Sequence, residues 1–428
     1  MLSVLEDSLD AATGQARSWE RALGSPSFTI TQVAEGSERR LLANLRGLAR
    51  ADAVVREELL RPALDADDAR AFVAALALLE GGGDVVPGLL ERLGSPEAPP
   101  PLLRALSLTG NPRVEVALRS LVAEEKDATR LAMALEVLAF RRADAGVDVR
   151  GLAAGGSPRV AAAALWVAHG SASSVLACNF AEGMLQAADA GVRDAAIEVA
   201  LIHGSKPAWD AAREVVDAGE ASSGVALLAL AISGDGSDVL RLVKLADVDA
   251  HRPAALFALG FTGSPLALEV CLAAMAEARS ARVAAEAFTA ITGLKMVGQY
   301  SRAEARKKPG GPVLPLEEED LDANLVPGLE AELPVPEVGA VKQWWAGNKS
   351  RFSADARYLG GVPLDGARLL EGFRGGLARR RPGLGLELAI RTRGKWRVET
   401  RQWARAQLSM QAASVAPPVM SPFGALLD

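Results

Sequence analysis

Ala105-Leu-Ser-Leu-Thr-Gly110, Leu165-Trp-Val-Ala-His-Gly170, Val199-Ala-Leu-Ile-His-Gly204, Ala229-Leu-Ala-Ile-Ser-Gly234 and Ala258-Leu-Gly-Phe-Thr-Gly263 share one pattern. Each reads as the end of an apolar helix closed by glycine, the residue that most easily adopts the left-handed conformation of a helix terminus. Gly81 and Gly293 extend the series, and Arg142 holds the pattern without the glycine. The eight positions are separated by 29, 32, 28, 34, 30, 29 and 30 residues. Two residues before each stands an apolar side chain: Leu79, Leu108, Phe140, Ala168, Ile202, Ile232, Phe261 or Ile291. One residue before stands a polar one: Glu80, Thr109, Arg141, His169, His203, Ser233, Thr262 or Thr292. The two columns predict a core-facing position followed by a solvent-facing helix end. Proline follows at Pro112, Pro207 and Pro265, where it suits the first turn of a new helix.

A second apolar helix then begins, for example with Val114, Ala117, Leu118 and Leu121. Each unit is therefore two helices in about 30 residues. One such pair cannot bury its apolar face alone, and stacking pairs in series does. The expected fold is an all-α solenoid of two-helix repeats. A helical end-cap covers 1–40, the repeats 41–298, an acidic linker 299–338 and a smaller helical region 339–428. Composition agrees: half the residues are apolar and only 4% aromatic, with Ala and Leu prominent, a balance that favours helices over sheets. Arg282-Val-Ala-Ala-Glu-Ala-Phe-Thr-Ala-Ile-Thr-Gly293 resembles the second helix of a HEAT repeat.

The C-terminal third changes character. Residues 315–337 hold eight acids and no base. Residues 340–405 hold 15 Lys or Arg against 5 Asp or Glu, so the rest of a chain of net charge −6 carries −16. Four helices are expected there, at 338–349, 364–377, 384–392 and 396–410. The candidate partner-binding residues are Trp344, Trp345, Arg351, Arg357, Tyr358, Arg379, Arg380 and Arg381, because exposed Trp, Tyr and Arg dominate protein contacts. Arginine interleaved with aromatics can also bind phosphates and stack on bases, which makes nucleic acid the alternative partner. The tail can equally fold back onto the acidic linker or the solenoid, or its aromatics can form the core of a small helical domain.

Pro334-Val-Pro336, Trp344-Trp345, Asn348, Arg351-Phe352, Arg357-Tyr358-Leu359-Gly360 and Leu386-Glu-Leu-Ala resemble the C-terminal signature of a proteobacterial HEAT-repeat family of unknown biochemical function. Glu38-Arg-Arg-Leu-Leu-Ala-Asn-Leu-Arg-Gly-Leu48 resembles its N-terminal one. Val335 departs from that pattern, where an aromatic is expected. Members are often encoded beside type VI secretion genes. The resemblance thus implies a binding scaffold linked to that apparatus, with a secretion component as partner and no catalytic residues.

Other chemistry is sparse. His169 and His203 share a phase and could stack as a metal pair, but a polar helix-end position explains them, and a zinc site wants three or four ligands. Cys178 and Cys271 share a core phase and read as small buried fillers; two cysteines make no disulfide framework, so a reducing, cytoplasmic setting is expected. Gly81-Gly82-Gly83 and Gly234-Asp-Gly236 lack a phosphate-loop lysine and read as turns. Glu317 to Asp320 could attract a cation, and reads as solvated linker. No uncharged apolar run approaches the roughly 18 residues a membrane span requires. No cofactor is expected, and the chain is read as a non-enzyme. HEAT-like folds do include lyases and glycosylases, which keeps an enzyme as a third reading.

Overall fold

The computed structural model describes residues 2–82, 84–94, 100–171, 173–219, 224–302, 327–413, 420 and 426. Most of the acidic linker, with Glu317 to Asp320, lies outside them, as does Gly83. The described residues are mostly α-helical, with two short antiparallel strand pairs: Ser301–Arg302 with Val335–Pro336, and Tyr358–Leu359 with Val362–Pro363. The chain divides into two compact units. The first comprises Met1–Gly24, Phe28–Ala229 and Phe373–Ser421; the second comprises Ser25–Ser27, Leu230–Gly372 and Pro422–Asp428.

In the first unit the helices that end at the periodic positions pack one on the next. Asp68–Glu80 meets Pro100–Leu108, which meets Ala128–Arg141, then Pro158–Ser171, then Ala190–Ile202. The intervening helices, such as Arg113–Glu124 and Ser174–Glu182, flank this row. The row is buried almost all round: in Asp68–Glu80 every residue from Ala71 to Leu79 is buried. A helix apolar on every face needs neighbours on every side, and its many alanines let them approach closely. Starts are set by aspartate and serine: Asp67, Asp127, Ser173 and Asp189 each accept a backbone N–H of the first turn.

The expected end-cap boundary at residue 40 falls inside a continuous helical run. Ile30–Val33, a π-helical turn Ala34–Glu38 and Arg39–Ala49 follow one another without a break. That run packs on the 22-residue helix Leu2–Leu23.

In the second unit Arg252–Thr262 packs on Ala281–Thr292, with Gly236–Ala246 and Leu266–Ala274 alongside, and Val338–Asn348 covers Leu266–Ala274. The C-terminal stretch forms no unit of its own. Residues 338–372 belong to the second unit and 373–413 to the first.

The two columns of the repeat fare differently. Seven of the eight apolar positions are buried, Phe140 being half-exposed. The polar column was expected to face solvent, yet Thr109, Ser233, Thr262 and Thr292 are buried. Each hydroxyl accepts the backbone N–H two residues on: Asn111, Asp235, Ser264 and Leu294 respectively. A hydroxyl that satisfies a donor at a helix end can be buried at little cost. Helix Pro158–Ser171 continues through Gly170, so that glycine is not a stop. Left-handed backbone occurs at Gly204, Gly234, Gly263 and Gly293, and also at Arg142, where no glycine stands.

Candidate partner-binding surface

In the second unit the tail closes onto helix C-terminal ends. The Arg357 guanidinium donates to the carbonyls of Thr262 at 2.8 Å, Phe261 at 3.1 Å and Ile232 at 3.4 Å. These are the carbonyls a helix leaves unpaired, and they carry the negative end of its dipole. Backbone amides extend the seam: Tyr358 donates to Gly263 at 2.8 Å, Gly360 to Ala290 at 2.7 Å and Gly361 to Ile291 at 2.8 Å. Glycine is required twice at Gly293. Its φ is +76°, and a Cβ there would lie 2.5 Å from the Gly360 oxygen.

The aromatics of this unit form an internal chain. Trp344 and Trp345 meet Phe288 edge-on at 6.1 and 6.0 Å; Trp345 also meets Phe352 at 5.4 Å, and Phe352 meets Tyr358 at 4.9 Å. The Trp345 indole N–H donates to Glu269 at 3.0 Å, and Lys349 reaches the same oxygen at 2.8 Å. Those two hydrogen bonds, Lys349 first, hold the Glu269 carboxyl below the usual carboxylate range.

In the first unit a second stretch of tail crosses the ends of the stacked helices. The Trp403 indole N–H donates to the Leu108 carbonyl at 2.9 Å, Arg142 to the Arg397 carbonyl at 2.7 Å and Arg104 to the Arg401 carbonyl at 2.6 Å. Arg397 lies over the Trp166 ring at 4.7 Å. The crossing ends on Glu38, which is fully buried. Its carboxylate accepts from the Trp19 indole at 2.9 Å, from the Arg405 amide at 2.9 Å and from the Ala404 amide. Glu38 thereby caps helix Ala404–Ala413 from a distant part of the chain. Burial raises its carboxyl above the ordinary value, and these hydrogen bonds oppose that rise.

The candidate residues therefore part company. Trp345, Tyr358, Arg380 and Arg381 are buried, and Arg357 is spent on helix ends. Arg381 stacks on Phe373 at 4.0 Å and donates to Phe373 O at 2.5 Å and Gln407 at 2.8 Å; burial pulls it down to about 10, still cationic at neutral pH. Trp344 and Arg379 are half-exposed, and Arg351 is exposed. A side chain inside its own unit cannot meet a partner while that unit stays folded. The sequence alone left display, fold-back and a core role all open for the tail aromatics, because the helix ends that cover them come from distant stretches.

The two histidines meet directly. His169 Nδ1 lies 2.9 Å from His203 Nε2, and His203 Nδ1 lies 2.9 Å from the Ser174 hydroxyl. Burial first, then Arg397, pulls His169 down to about 3, and the same two causes lower His203. Both rings are thus neutral and bonded to each other, which leaves no room for an ion between the facing nitrogens. Cys271 is fully buried and pushed up to about 12, and Cys178 is half-buried with its thiol 3.7 Å from Glu182.

Beside Trp403 the first unit opens a cleft of about 690 Å³, walled by Leu42, Leu76, Leu108 and Trp403, with Arg46 and Arg50 at its rim. Nothing in the sequence pattern marked this place. The residues that build it lie hundreds of positions apart, and Arg46 and Arg50 read only as the polar side of one helix.

The fold and this surface define a class only: stacked helices crossed at their ends by a later stretch of the same chain. No protein-family model and no curated protein matches the chain. No described helix is long and apolar enough to cross a membrane.

Proposed function

We propose that the chain is a HEAT-like α-solenoid and a non-catalytic scaffold or adaptor for protein partners. By the resemblance of its two terminal signatures, it would work in the cytoplasm as an accessory of a type VI secretion apparatus, with a secretion component as partner. One observation carries the reading. In each unit the stacked helices hold a crossing stretch of chain by polar contacts that use backbone groups: helix-end carbonyls take Arg357 and the Tyr358, Gly360 and Gly361 amides in the second unit, and in the first Leu108 takes Trp403 while Arg142 and Arg104 reach tail carbonyls. A surface that grips a passing chain through backbone groups in this way suits protein recognition.

The nucleic-acid reading loses ground on the same geometry. Tyr358 and Trp396 are buried, Trp345 is engaged by Glu269, and Trp403 lies 4.6 Å from Trp19. Base stacking needs free aromatic faces.

The test is purification of the tagged full chain at native salt, from cells that express the neighbouring genes. A stoichiometric protein partner supports the scaffold. Recovery of nucleic acid instead, or of the chain alone, overturns it.

A further inference from the structure

Arg46 and Arg50 line an apolar cleft of the first unit. Like Arg39 and Arg40 on the same helix, they are exposed and have no acidic partner among the described residues, whereas Arg17, Arg61, Arg70, Arg92, Arg104 and Arg141 each face a carboxylate. What sets Arg46 and Arg50 apart from Arg39 and Arg40 is the cleft they line. Arg46 and Arg50 sit one helical turn apart in the last turn of Arg39–Ala49 and at its cap, where like charges repel. The helix dipole favours a cation there and accounts for part of this. It does not account for the apolar cleft beneath them.

The cleft is a built feature. Trp403 forms one wall and is fixed by its bond to Leu108 and by the neighbouring cap on Glu38. Leu76 and Leu108 lie beneath, and half-exposed Leu42 lines the side. The other charged lining groups are already used: Arg56 donates to Gly81 at 2.8 Å, and Glu80 accepts from Thr109 at 2.7 Å and Gly110 at 2.9 Å. What remains free is an apolar floor under two unpaired cations. Its volume falls within the usual range of roughly 300–1,000 Å³ for ligand sites.

We infer that this cleft takes an acidic, leucine-anchored segment of a protein partner, an apolar side chain entering between Leu42 and Trp403 while carboxylates meet Arg46 and Arg50. The inference rests on the scaffold reading and gives it a partner chemistry. A nucleic acid would use the two arginines but leave the leucine-lined floor empty.

The experiment is a fluorescence-anisotropy titration of the full chain. The probe is a fluorescein-labelled amphipathic peptide with leucines at helical spacing and glutamates beside them. A second peptide carries lysine for each glutamate, and a single-stranded thymidine oligonucleotide serves as the third probe. The acidic peptide is expected to bind and the basic one not. The double variant Arg46→Glu/Arg50→Glu should bind the acidic peptide roughly tenfold or more weakly and gain preference for the basic one. Leu42→Gln should weaken binding with the charges intact. Circular dichroism checks that each variant is folded. Equal binding of both peptides, undiminished binding by the double variant, or an oligonucleotide that binds as well as the acidic peptide overturns the inference.

Failure here is separable from failure of the scaffold. A partner that co-purifies equally with wild type and double variant overturns the cleft and leaves the scaffold standing. Charge-swapped peptide preference with no co-purifying protein supports the cleft chemistry and overturns the scaffold.

Discussion

Replacing Glu38 should release the tail of the first unit at its end. The carboxylate receives three donors: the Trp19 indole, the Ala404 amide and the Arg405 amide. In Glu38→Ala all three lose their acceptor. A buried donor left unpaired costs about 1–3 kcal/mol, so the three together would cost several. Against this, the variant no longer buries a carboxylate, and burial is the largest influence on that group. Arg405 also reaches water, being exposed. The net effect sits near the low end, about 3 kcal/mol. Glu38→Gln keeps one acceptor oxygen but turns an NH2 toward a donor, at about 1–2 kcal/mol. The assay is hydrogen exchange at the first amides of Ala404–Ala413. Exchange there should quicken by roughly a hundredfold in Glu38→Ala, since every 1.4 kcal/mol is about tenfold. Helices remote from Glu38, such as Pro207–Asp217, should keep their protection. Unchanged protection at Ala404 and Arg405 in a folded Glu38→Ala protein would refute the reasoning, because the cap would then be held by something else.

Two further outcomes follow from particular residues. Gly293 and Gly298 both have positive φ, at +76° and +57°, but a Cβ at Gly298 meets open space while one at Gly293 strikes the Gly360 oxygen. Both alanine variants lose about 1–2 kcal/mol to backbone strain; Gly293→Ala should lose clearly more in denaturant unfolding and also expose the Gly360 and Gly361 amides, and equal losses would count against the seam. Glu198 lines a small pocket of about 120 Å³, with Arg397, Glu399 and Asp194 nearby, and burial first raises it to about 7. A raised acid binds its proton more tightly when folded, so its stabilising effect is full below the ordinary value of 4.5 and is lost as pH climbs to about 7. Glu198→Gln should therefore match wild type at pH 5 more nearly than at pH 8, where it should be the more stable by up to about 3 kcal/mol; thermal melts at the two values check this.

The helical ladder was legible because it is local. Helix ends, prolines at Pro112, Pro207 and Pro265, and the apolar column from Leu79 to Ile291 all depend on neighbours a few residues away. Three of the four tail helices, Val338–Asn348, Gly366–Gly375 and Arg381–Arg391, fall close to their expected places for the same reason. The fourth was expected from 396 and begins at Ala404, because its cap is Glu38, hundreds of residues upstream. The buried threonines and Ser233 misled for a related cause. A polar column looks solvent-facing until something covers it, and at Gly263 and Gly293 the cover is Tyr358 and Gly360. For the Arg/Trp-rich tail, display and fold-back were both open from sequence; Trp345, Phe352, Tyr358, Phe373 and Trp396 are buried, while most of the tail's basic residues keep some exposure and only Arg380, Arg381 and Arg391 are buried. The cleft was invisible from sequence, since its walls come from four separate stretches.

The most direct test of the scaffold account is a photo-crosslinking residue placed at Leu42, inside the cleft, and separately at exposed Val116 on helix Arg113–Glu124. The account predicts that, under native salt in cells expressing the neighbouring genes, the Leu42 position yields one discrete covalent adduct with a protein partner and the Val116 position does not. No protein adduct at either position would contradict the scaffold account, and equal yields at both would contradict the cleft as its partner site.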